Sequence, residues 1–123
     1  MRRMETAHNL PEKNLVFYDV WEAPFALYGL CPEEKAFVRL PAKVAEETSK
    51  SVASLAKHTS GVRLRFSTDS PYVAIQAKFP SVTRFPHMPP TGTSGFDLYL
   101  NTETGFYHRT TFMPPVDMTD GYE

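Results

Sequence analysis

Nucleophilic attack on an ester needs a serine on a tight turn, a histidine base and an acid to orient it. Two serines in this sequence invite that reading. Ser70 lies in the turn-forming run Thr68-Asp69-Ser70-Pro71, and Ser94 lies between Thr93 and Gly95. Neither is preceded by the glycine that lets a backbone turn sharply at a nucleophile. Both read as turn-capping serines. The four histidines, His8, His58, His87 and His108, show no metal-ligand spacing. The residues alone therefore predict no catalytic set, no metal site and no cofactor.

Binding chemistry is better represented. His87 stands beside Arg84 and Met88 in a proline-rich stretch, where it is either presented to a ligand or partner or fixed in the fold. Tyr72, Tyr99, Tyr107 and Trp21 could stack on sugar rings, or they fill a core or a sheet edge. Asp97 alternates away from Phe96 and Leu98, so it faces solvent or pairs across strands with Arg63, Arg65 or Arg109. The lone Cys31 cannot form an internal disulfide and reads as a packed, inert thiol.

The elements that must position these groups are short strands. Leu15 to Val20 reads as a first strand, bulky on both faces. Trp21 to Leu30, broken by Pro24 and Gly29, reads as an apolar extended loop. Ala36 to Leu40 reads as a short strand stopped by Pro41. Pro41 to Leu55 is ambiguous: a helical turn near residues 42 to 47 is expected, then a strand from Ser51 to His58. Val62 to Phe66 alternates apolar and polar without a fault, and Tyr72 to Phe79 does so again after the turn. These two predict a β-hairpin. Pro80 to Gly95 holds four prolines and two glycines and is expected to be a stiff functional loop. Phe96 to Leu100 and Phe106 to Phe112 predict a second hairpin around the turn Asn101 to Gly105. Val116 to Glu123 is polar and predicts no closing element. The division expected is a flexible segment at 1–14, a β domain at 15–115 and a linker at 116–123.

The totals agree with this pattern. The chain has 123 residues, the span of one domain. It carries 11 prolines and 9 phenylalanines, a balance that favours strands and stiff loops over helices. A formal net charge of -1 gives no electrostatic footprint for nucleic acid or an anionic membrane. The basic start Met1-Arg2-Arg3-Met4 is followed by no apolar stretch, so no secretory leader is read and a cytoplasmic setting is expected. The expected class is all-β, with short helical turns at most.

Four segments, in order, carry a family likeness. Gly95-Phe96-Asp97-Leu98-Tyr99 matches a Gly-x-Asp-Leu-Tyr signature; Leu55–Tyr72, Arg84–Pro89 and Thr110–Pro115 are similar to the segments that accompany it. Over about residues 15 to 123 the chain resembles the amino-terminal domain of SGNH-type (GDSL-like) lipase and acylhydrolase esterases. The resemblance implies a jelly-roll-like antiparallel β-sandwich and a serine ester hydrolase as the parent. The nucleophile block, oxyanion-hole residues and Asp-x-x-His pair belong to a following α/β domain, and none is present here. It also implies that the partner is that SGNH catalytic domain, with an acylated carbohydrate as one substrate class. The signature residues are Gly95, Asp97, Leu98 and Tyr99; the residues expected to meet a ligand or the other domain are Arg84, His87, Met88 and Tyr99. Two other roles stay open: an independent carbohydrate-binding module, and a structural or oligomerisation domain.

Overall fold

A computed structural model describes all 123 residues. The fold is mainly β: eight short strands pair into four two-stranded antiparallel ladders, with three short helices between them. No helix is long and apolar enough to cross a membrane. The chain forms two compact units, one of residues 1–7 and 14–71, the other of residues 8–13 and 72–123.

In the first unit, β1 (Arg3–Met4) pairs with β2 (Phe17–Tyr18), and β3 (Ala26–Tyr28) pairs with β4 (Arg63–Arg65). The expected hairpin of Val62–Phe66 with Tyr72–Phe79 is not formed. β4 finds its partner upstream instead, in the segment expected to be a loop, with Leu27 opposite Leu64. Two glycines allow this: Gly29 (φ +85) and Gly61 (φ +83) sit in the left-handed region at the ends of the ladder. They approach so closely that a β-carbon on Gly29 would lie 3.1 Å from the Gly61 carbonyl. Across the same ladder Tyr28 is flanked by Arg63 and Arg65, each guanidinium 5.9 Å from its ring centre.

The strand expected at Ser51–His58 is a helix. α1 (Ala42–Thr48) and α2 (Lys50–Leu55) are separated by Ser49, which is fully extended (φ -173, ψ 162). Its hydroxyl accepts from the Val52 N–H at 3.1 Å, an N-cap that starts the second helix. Only one residue of α2, Val52, is β-branched, so nothing favours strand over helix once the cap forms. Ala45 and Ala56 are buried, small enough for close helix contacts. The strand expected at Ala36–Leu40 is also absent; its backbone is spent on bends, with Cys31 N–H bonded to Val38 O and Arg39 N–H to Ala56 O. Cys31 is 5 % exposed, and its thiol donates to Glu33 Oε2 at 2.9 Å. That carboxylate acceptor, with burial second, raises the thiol pKa, while the same bond lowers that of Glu33.

In the second unit, β5 (Ala77–Lys78) is all that forms of the strand expected at Tyr72–Phe79. α3 (Pro90–Ser94) has proline in its first turn and is the one helical piece of the stiff loop. β6 (Phe96–Thr102) and β7 (Gly105–Phe112) form the second hairpin where it was expected. β8 (Gly121–Tyr122) pairs with β5, so the tail does close the structure. Pro114, Met118 and Tyr122 are the buried residues of this unit. Tyr122 stacks on Phe79 at 6.1 Å and meets Phe96 at a tilt at 6.2 Å, and its hydroxyl donates to Ser94 O at 2.9 Å. Composition hid this element, because its apolar residues are spaced singly among Asp, Thr and Gly.

Candidate functional site

The hairpin is where the signature residues acquire geometry. Gly95 joins α3 to β6. A β-carbon there would lie 2.2 Å from the Thr91 carbonyl, so only glycine fits, although its φ of -82 is ordinary. From Phe96 the strand alternates. Phe96 opposes Phe112, Leu98 opposes Thr110 and Leu100 opposes Tyr107, which gives one apolar face. Asp97 opposes Thr111, Tyr99 opposes His108 and Asn101 opposes Phe106 on the other.

A β-bulge decides the second face. Leu98 pairs with Thr110 but Tyr99 pairs with His108, leaving Arg109 as the extra residue of β7. His108 and Thr111 are three apart, so in a flat strand they would point to opposite sides. The bulge turns them to the same side. Thr111 Oγ1 donates to Asp97 Oδ1 at 2.6 Å, and His108 Nε2 lies 3.5 Å from that oxygen and 3.3 Å from the hydroxyl. Tyr99 meets the imidazole edge to face, with centroids 5.3 Å apart. The partners of Asp97 are thus Thr111 and His108, not an arginine. The hydroxyl gives its proton to the carboxylate rather than to the imidazole, so this trio holds a carboxylate in place and does not activate a nucleophile.

The proline-rich loop builds a second, separate feature. Val82, Thr83, Arg84, Phe85, Met88, Pro90, Thr93 and Met118 line an open cleft of about 150 Å³. Arg84 Nη2 donates to Met118 O at 3.2 Å, which ties the loop to the tail. Gly92 leaves room for Met88, whose Cγ would come within 2.9 Å of a β-carbon there. Of the residues expected to meet a ligand or partner, Arg84 and Met88 come together in this cleft. His87 packs on Phe85 at 5.4 Å and is not part of the lining. Tyr99 lies on the hairpin. Ser70 and Ser94 are both in local polar contacts: Ser70 N–H bonds the Thr68 hydroxyl and Ser94 Oγ the Thr93 hydroxyl. No three His, Cys, Asp or Glu side chains converge as metal ligands would.

Sequence reasoning missed His108 and Thr111 as companions of the signature, and Met118 as part of the cleft. Hairpin pairing of β7 with β6 was a usable signal for the first two; the bulge was not. A family model described as GxDLY, the N-terminus of SGNH-hydrolase-type esterases, matches residues 15–119. The chain belongs to this family. Comparison with curated proteins gives no match, and comparison with solved structures gives none. In this GxDLY domain, the glycine is demanded by a backbone contact, the leucine faces the apolar side, and the aspartate and tyrosine share the polar side.

Proposed function

We propose that this GxDLY domain is an accessory domain that packs on the SGNH catalytic domain of its esterase and shapes access to it. The hairpin carries the reading. Its apolar face is covered near the base, where Phe96 meets Phe79 and Tyr122. Farther out, Leu100 and Tyr107 oppose each other and stand 45 % and 59 % exposed. A two-stranded ribbon is marginal in water unless its face is covered. Covering what remains exposed of Leu100 and Tyr107 would contribute on the order of 1 kcal/mol each. The family supplies the occupant, since its members stand at the N-terminus of SGNH-type esterases. The Arg84–Met88 cleft is a second place where the catalytic domain or its acyl substrate would touch this domain.

The test is to compare the esterase that carries this domain with versions lacking residues 1–123 or bearing Leu100→Lys with Tyr107→Lys. Acyl-ester hydrolysis, substrate preference and solubility are measured. The expected result is lower solubility and altered kinetics in both. Unchanged behaviour in both would sink the proposal.

A further inference from the structure

The polar face of the β6–β7 hairpin is a constructed arrangement that the packing of the apolar face does not require. The bulge at Arg109 brings His108 beside Thr111. Thr111 then pins one oxygen of Asp97, and His108 Nε2 sits near the same atom. Both groups keep an open side: Asp97 Oδ2 and His108 Nδ1 have no partner in the protein. Beside them the ring of Tyr99 is 53 % exposed.

We infer that Asp97, Tyr99 and His108 form a shallow binding site for a pyranose ring. The chemistry matches on each count. A sugar hydroxyl both donates and accepts, and this site offers a carboxylate that only accepts beside an imidazole nitrogen that can do either. The polarised C–H edge of a pyranose suits the negative face of a tyrosine ring. Thr111 holds the carboxylate in advance, which lowers the cost of ordering it on binding. An organic cation would also suit a ring and a carboxylate. It offers only donors, however, so it would use the carboxylate and leave an imidazole N–H unmatched. The shallow, exposed setting sets the affinity at about millimolar. This inference concerns the opposite face of the hairpin from Leu100 and Tyr107, so it stands or falls separately from docking to a catalytic domain.

The test is NMR titration of the 123-residue chain with methyl glucoside, galactoside and mannoside. Sorbitol, which has hydroxyls but no rigid ring, and arginine serve as comparisons. The expected result is saturable shifts at Tyr99 and His108 with at least one pyranoside, and none with sorbitol or arginine. Tyr99→Ala and Asp97→Asn should each weaken binding by about tenfold or more. The inference is overturned by the absence of shifts up to about 50 mM pyranoside, by equal shifts with arginine, or by undiminished binding in folded variants. Should a variant fail to fold, the wild-type map decides: shifts centred away from Tyr99 and His108 also overturn it.

Discussion

The carboxylate of Asp97 and the hydroxyl of Thr111 face each other directly across β6 and β7, 2.6 Å apart. The bond ties the third residue of the signature to the neighbouring strand. Asp97 is exposed and Thr111 half-buried, so water still competes for the carboxylate. Thr111→Val should therefore cost less than about 1 kcal/mol in a urea unfolding curve. It should nevertheless free the Asp97 side chain, visible as averaged side-chain couplings by NMR. A cost well above that would show that the bond also holds the hairpin together.

Glycine is required in two physically different ways. Gly95→Ala would push a β-carbon into the Thr91 carbonyl, an atom of backbone that cannot swing aside. Gly61→Ala would meet nothing within 4 Å but would have to keep φ at +83. The second should cost about 1–2 kcal/mol. The first should cost more, about 3 kcal/mol, because α3 or β6 must shift. Unfolding curves of the two variants, compared directly, check the order.

Tyr122 has its phenol pKa pushed up from 10.0 to about 12 by burial. The folded state thus favours the neutral phenol. Its contribution to stability is complete below pH 10 and is lost as pH rises from there toward 12. Ultraviolet titration should show a tyrosine that ionises late, toward pH 12. Tyr122→Phe should remove that late step and the bond to Ser94, at about 1 kcal/mol. An unchanged titration would contradict this placement of the tail.

Cys31 should alkylate slowly. The Glu33 carboxylate accepts its S–H and repels a thiolate, so the neutral thiol is favoured. Near neutral pH, iodoacetamide should react more slowly than with a free cysteine. Glu33→Ala removes both effects and should speed the reaction. No change in rate would show that burial alone protects the thiol.

How much was legible in the sequence depended on the range of the interaction involved. Phe96 to Leu100 and Phe106 to Phe112 formed the expected hairpin because the alternation and the turn between them are local facts. Val62 to Phe66 was recognised as extended, but its partner was not. An extended segment can pair with any edge that offers N–H and C=O groups, and here Ala26–Tyr28 offers them. Ser51 to His58 is not the expected strand because a single bond, donated by the Val52 N–H to the Ser49 hydroxyl, outweighs an apolar pattern too short to decide. The loop around Arg84 was recognised from its prolines, but its tie to Met118 spans 34 residues and leaves no local trace.

The sequence by itself determined the mainly-β class, the hairpin and the family, since alternation, turn residues and a signature are all written in neighbouring positions. Only the tertiary structure decided what the signature does. Gly95 is needed because of a carbonyl that happens to lie 2.2 Å from where a β-carbon would be, and Asp97 meets His108 because one extra residue in β7 reverses the side on which that histidine points. The partners are near in sequence, Thr91 four residues before Gly95 and His108 in the strand that follows, but the backbone path and the register that bring them together are set by folding and not by residue type.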